Sequence, residues 1–173
     1  MFYTSLNSAC FVVISGAGGV ISSARDIASA TWLQTLLLLG KNPVTNEQVI
    51  PASVIQKVAT GITHINDDTK TLIQVLVSSA SELGPVVYGG GQMAVTYRGH
   101  TCVYFSGFNT QITRFPFDNF GIAVLSNDDA YGDQFTEVIK WRLIDALLGL
   151  EPIDWNTRCE ISGLLFELRT DYL

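Results

Sequence analysis

PVVYGGGQMAVTYRGHTCVYFSGFNTQITRFPFDNFGIAVLSNDD, residues 85–129, is the stretch that decides the fold. Within it, Val86 to Asp128 carries four short runs rich in β-branched and aromatic residues, each closed by a turn signal. Met93–Tyr97 ends at Arg98–Gly99, and Thr101–Phe105 ends at Ser106–Gly107. Gln111–Phe115 ends at Pro116–Phe117–Asp118–Asn119, and Gly121–Leu125 ends at Ser126–Asn127–Asp128. Apolar runs of this length bounded by Gly, Pro, Asn and Asp predict strands. Connections this short join only antiparallel neighbours. The stretch therefore predicts an antiparallel meander, with the remainder of the chain helical and packed around it: an α+β fold. The 173 residues predict one domain, 1–173, long enough to bury a core without staples.

Outward from the meander, Gln134–Leu148 predicts a helix that Gly149 closes. Phe135, Val138, Ile139, Leu143, Ile144, Leu147 and Leu148 are expected to form its buried stripe, with Glu137, Trp141 and Asp145 on the other side. Upstream, Ala24–Leu39 predicts a helix with an apolar face from Ile27, Trp32, Leu33, Leu36, Leu37 and Leu39. Ser23 and Asp26 stand in the spacing of a capping box with a shortened acid, and Gly40 is a natural stop. Lys41–Ile50 reads as a loop, and Pro51 suits the first position of a short helix through Val54, Ile55 and Val58. Thr63–Thr69 reads as another loop. Leu72–Ser79 fits helix or strand, and Cys159–Leu173 fits a final helix.

Composition narrows the class. Hydrophobic residues make up 47% and charged residues 15%, against about 25% charge in an ordinary soluble domain. Mean hydropathy is +0.29. Such a chain either buries an unusual share of itself or presents apolar surface that a partner or a second copy covers. The net charge is −6 with no basic run, which excludes a nucleic-acid footprint. No stretch reaches the roughly 18 apolar residues of a membrane span. Cys10, Cys102 and Cys159 are odd in number and far apart, so neither a disulfide framework nor a zinc site is expected. Cys102 lies in a strand and reads as a small buried hydrophobe.

Motifs for chemistry are sparse. Phe11–Val20 runs from an apolar segment into Gly16–Ala17–Gly18–Gly19 and then toward a helix, the layout of a phosphate-cradling loop. The third glycine of the dinucleotide pattern is replaced by Ile21, no Walker lysine follows, and Leu36–Leu39 occupy the place of the ribose-binding acid. The glycines fit a tight turn better, and no cofactor is expected. His64 falls in a polar loop and His100 at a strand start, neither at a catalytic spacing from Ser, Cys or a carboxylate. Ser106 and Ser126 lack the glycine pair of a nucleophile elbow. Asp128–Asp129 fits a helix-dipole complement better than a cation site. Trp141 and Trp155 fit packing anchors better than an aromatic platform.

Two segments carry a resemblance. GAGGVISSARDIASATWLQTLLLLG, residues 16–40, resembles the Gly-Gly-Val/Leu-x-Ser-Ser-Ala-x-Asp helix start of the serine β-lactamase-like family, the class C β-lactamase, DD-peptidase and esterase group. Here the helix carries a small extra element around Ser29–Thr31. TQITRFPFDNFGIAVLSND, residues 110–128, resembles the strand–turn–strand that closes that family's sheet, and YGGGQ, residues 88–92, the strand before it. The likeness is strongest to fungal members and runs from about Gly16 to Leu150. It implies the C-terminal portion of a partial β-lactamase/transpeptidase-like fold, with a small acyl substrate for an intact family member.

In such enzymes a Ser attacks an acyl carbonyl, assisted by a Lys three residues on and by a Tyr, while backbone amides hold the oxyanion. This chain has no Ser with Lys at +3, no Tyr with Asn at +2, and no Lys-Ser/Thr-Gly or His-x-Gly. Ser53 has Lys57 at +4. By the resemblance, the third motif falls on Cys102–Gly107, with Phe105, Ser106 and Gly107 in the degenerate position. The expectation is that the nucleophile and Tyr motifs lie N-terminal to Met1. On this reading the chain performs little acyl transfer. The alternative is a binding or assembly module that uses an exposed apolar sheet face.

Overall fold

The computed structural model describes residues 22–30, 32–65, 82–106, 109–128, 131–154 and Thr157. Its centre is a six-stranded, wholly antiparallel sheet in sequential order. The strands are β1 (Thr63–His64), β2 (Val87–Tyr88), β3 (Met93–Tyr97), β4 (His100–Ser106), β5 (Thr110–Phe115) and β6 (Phe120–Leu125). The four predicted runs of the meander are β3–β6, each within one residue of its expected bounds. Thr63–His64, expected in a loop, instead pairs with Val87–Tyr88 at the outer edge.

Turn chemistry sets the register. Tyr97 faces His100 across a two-residue connection, in which Arg98 and Gly99 take φ of 48° and 90°. Positive φ at both central positions gives the twist that matches paired strands, and Gly99 adopts it without a Cβ penalty. Between Phe115 and Phe120, which face each other, Asn119 takes φ of 57° and ends the four-residue turn. Asn is among the few residues that tolerate this region. Their rings stack with centroids 4.6 Å apart.

Among the described residues three α-helices accompany the sheet: α1 (Trp32–Leu37), α2 (Ala52–Ala59) and α3 (Gly132–Leu148). The predicted helix Ala24–Leu39 is divided. Asp26–Ala30 form a π-helical turn and α1 follows. A π turn admits one extra residue. The N-cap half of the shortened capping box forms: Ser23 Oγ accepts from the Asp26 N–H at 3.1 Å, while the carboxylate takes the Ser23 hydroxyl, Oγ to Oδ2, at 2.7 Å. Pro51 sits one residue outside α2, and only Ile55 of α2 is fully buried. The segments Leu72–Ser79 and Cys159–Leu173 lie outside the described residues, as do Cys10, Trp155 and the glycine loop Phe11–Val20.

Alternation along the strands gives the sheet two working faces. One carries Val95, Tyr97, Cys102, Tyr104, Phe115 and Ile122, which form the main core with Trp141 and Ile144 of α3. The other carries Val103 and Ile112 and receives α1, whose Leu33 and Leu36 are buried. Leu33 packs against Gly121 so closely that a Cβ there would lie 3.2 Å from Leu33 Cδ2.

Helix α3 does not dock as its apolar stripe predicts. Phe135, Leu143 and Leu147 are 63%, 44% and 59% exposed, whereas Thr136, Glu137, Lys140, Trp141, Ile144 and Asp145 are buried. Apolar residues occur on nearly every side of this helix, so a stripe can be traced on more than one face. The sheet selects the face whose polar groups it can satisfy. Glu137 accepts from Lys140 Nζ at 2.6 Å and from Trp141 Nε1 at 2.7 Å, and Lys140 also reaches Gln111 Oε1 at 3.3 Å. The Tyr97 hydroxyl donates to Asp145 Oδ1 at 2.5 Å, and Arg98 Nη1 lies 3.2 Å from the same oxygen. The helix ends in a Schellman arrangement, with Gly149 N–H to Ala146 O at 3.3 Å and Leu150 N–H to Asp145 O at 2.9 Å.

A buried pair of this kind is costly to break on one side. Lys140→Met is expected to destabilise the protein by about 3–5 kcal/mol by urea titration. E137Q/K140M keeps an acceptor for Trp141 and removes the stranded charge, so it should be more stable than K140M alone. Equal stability would show that the charge of Glu137 is not what the lysine offsets.

Candidate functional site

The resemblance directs attention to the end of β4. Phe105 and Ser106 form its last two residues, facing Ile112 and Gln111 of β5 across the ladder. Phe105 is half-buried, and Gly107 lies outside the described residues. The strand–strand pairing predicted at this position is present. Ser53 and Lys57 sit one turn apart on α2, both exposed.

The structure brings together groups that the sequence keeps apart. His100 Nδ1 and Asp118 Oδ1 lie 2.9 Å apart, joining the start of β4 to the β5–β6 turn. Both side chains are partly solvated, at 31% and 25% exposure. Because β3–β6 form a meander, the β5–β6 turn returns to the strand end where β4 begins. His64 lies on the exposed edge strand β1.

A denser set of titratable groups is enclosed between β3–β5 and α3. Lys140 Nζ lies 4.5 Å from the Trp141 ring centroid and 5.4 Å from that of Tyr104. The rings of Tyr97 and Trp141 approach to 4.4 Å at 34°. Burial raises the phenol pKa of Tyr97 and Tyr104, and the carboxylates of Asp145 and Glu137 respectively add to it. Cys102 is wholly enclosed, and burial pushes its thiol up to about 12 despite the nearby Lys140 ammonium. A thiol held protonated is a poor nucleophile. This cluster is shielded from substrate by the sheet and α3, so its chemistry is that of packing and charge pairing. The sequence signal for it was present in the i, i+3, i+4 spacing of Glu137, Lys140 and Trp141, but the strand partners were not visible.

Asp128 prepares the N-terminus of α3. Its Oδ1 accepts from the Tyr131 N–H at 2.9 Å, and its carbonyl accepts from Asn109 Nδ2 at 2.5 Å. Tyr131 precedes the first helical residue, Gly132, so the bond orders the turn into α3; Asp129 lies outside the described residues. Among the described residues no group of three or more His, Cys, Asp and Glu could hold a metal ion. No described helix is long and apolar enough to cross a membrane.

The thiol's displacement has a signed consequence. Cys102 ionises near 9.0 when unfolded and near 12 when folded. The unfolded chain therefore releases its proton first as pH rises, and stability present below pH 9 is lost above it. The loss attributable to this group approaches about 1.4 kcal/mol per pH unit between those values. Denaturation of wild type and Cys102→Ser from pH 8 to 11 should give a shallower alkaline decline in the variant. An unchanged slope would remove Cys102 as the cause. Comparison with protein-family models, curated proteins and solved structures returned no match to this chain.

Proposed function

We propose that this chain is a β-lactamase-related serine hydrolase scaffold by descent, which performs little or no acyl transfer itself. The observation that carries the reading is the chain order of the fold. A capped helix that starts at the Ser-Ser-Ala-x-Asp segment, an antiparallel meander and a closing helix follow one another, with a helix against each sheet face. The resemblance implies that order. The missing Ser-x-x-Lys, Tyr-x-Asn and basic third motif support the lack of activity, since loss of a nucleophile alone removes most chemical acceleration. Purified protein is expected to give no turnover of a chromogenic acyl ester or a β-lactam. Turnover that survives Ser53→Ala and Ser106→Ala would overturn the assignment of inactivity, because it would require another nucleophile.

A second reading is an assembly module, and one specific observation favours it. Helices meet both faces of the sheet, and among the described residues α3 presents a set of apolar side chains on its outer side. Phe135, Leu143 and Leu147 are large, apolar and exposed there. Exposed apolar groups gathered on one helix mark contact surfaces more often than scattered single residues do. Multi-angle light scattering should then find a defined oligomer that Leu143→Lys and Leu147→Lys dissociate without loss of secondary structure. A monomeric wild-type protein at 100-fold dilution and at high concentration alike would eliminate this reading.

A further inference from the structure

We infer that the outer edge of β6 and the adjoining flank of α3 form one surface that pairs with the same surface of a second copy of this chain; this rests on the assembly reading and names its partner. The two sheets join into one, β6 against β6 and antiparallel, across a twofold axis perpendicular to the sheet.

Strand order makes β6 a terminal strand, and among the described residues it is bonded to β5 alone. One bond fixes which of its backbone groups face outward. The Ser126 N–H donates to Asn109 O at 3.1 Å, continuing the β5–β6 register by one pair. Bonded and non-bonded positions alternate along an antiparallel pair. Phe120, Ile122 and Val124 therefore turn their N–H and C=O groups to β5, and Gly121, Ala123 and Leu125 turn theirs away from the sheet. The edge is also less enclosed than its neighbour: only Ile122 of β6 is fully buried, against five of the six residues of β5.

Natural sheet edges are blunted by shortness, charge, proline or a bulge. The opposite edge follows that rule, since β1 has two residues and both are exposed. β6 has six residues, with no charge and no proline, and its register with β5 is unbroken. An open edge of this kind takes a further strand through its backbone groups. Both faces of β6 are apolar. Phe120, Ile122 and Val124 belong to the main core, and Gly121 lies against Leu33. An added strand has to continue both faces, and β6 of a second copy does so. The twofold axis sets each residue opposite one of the same parity, so outward-pointing groups meet outward-pointing groups.

Helix α3 fits the same axis independently. It packs over β5 and β6. With strands about 4.8 Å apart, an axis just outside β6 leaves α3 and its copy roughly 10 Å apart, which is the spacing of packed helices. The flank that turns toward the axis is apolar. Trp141 and Asp145 lean toward β3, where both reach Tyr97, and Lys140 leans the other way, to Gln111 of β5. Leu143 and Leu147 follow Lys140 at i+3 and i+7, on its side of the helix and away from β3, and both are exposed.

The test combines sedimentation velocity with amide hydrogen exchange on the whole chain. A dimer is expected. In it the amides of Gly121, Ala123 and Leu125 should exchange about tenfold more slowly than in the diluted monomer, while those of Ile122 and Val124, bonded to β5 in either state, change far less. Ala123→Pro removes an outward N–H and no bond to β5, a change that edge strands accept. It should give a monomer with unchanged secondary structure, and Leu143→Lys should weaken the same dimer. A wild-type monomer at every concentration overturns this inference together with the assembly reading. A dimer that L143K dissociates and A123P does not leaves the helix contact standing and overturns the strand pairing. If A123P fails to fold, exchange in the wild-type protein decides. Outward amides that stay unprotected in the dimer place its interface elsewhere. Outward amides protected alike in monomer and dimer mean that another segment of this chain covers the edge. Either result overturns the inference.

Discussion

The docking of α3 onto the sheet depends on one buried charge pair, Lys140 with Glu137. The pair sits where β5 and α3 meet, and it determines which side of the helix faces inward. Once Glu137 accepts from both Lys140 and Trp141, the indole is held against Tyr97 with the two rings tilted by 34°, and Ile144 is carried into the same core. A different rotation of the helix would bury Phe135, Leu143 and Leu147, and would gain apolar area. It would also leave Gln111, Tyr97 and Tyr104 without their helix partners beneath the sheet. The observed rotation trades hydrophobic burial for polar satisfaction, in keeping with the high cost of unpaired polar groups in a low-dielectric interior.

That trade has a consequence at the surface. Apolar side chains displaced from the interior have to appear elsewhere, and they appear on the outer side of α3. They join other exposed apolar side chains of the described residues, such as Val44, Ile62 and Phe117. Polar specification inside and an apolar stripe outside are one choice seen from two sides.

The sheet contributes rigidity to this arrangement through its turns. The Arg98–Gly99 connection places Tyr97 and Arg98 at one strand end, where both reach Asp145, and Arg98 Nη1 also donates to the Glu151 carbonyl at 2.8 Å. The same turn therefore closes a hairpin and ties the C-terminal end of α3 to it. On the opposite face, Gly121 lets Leu33 approach the backbone, so the α1 side closes without a second polar network.

What the sequence by itself determined is what depends on neighbours along the chain. Strand positions in β3–β6, their antiparallel order, the capping pair Ser23–Asp26 and the stop at Gly149 all follow from local periodicity and turn chemistry, and all are present. The tertiary structure alone decided the rotation of α3, the pairing of His100 with Asp118 and the burial of Arg114. Each turns on which distant groups meet. A helix with apolar residues on nearly every side gives periodicity no single answer. The energy that selects among the answers lies in hydrogen bonds and charge pairs between residues such as Tyr97 and Asp145, whose separation in the chain hides their proximity in space.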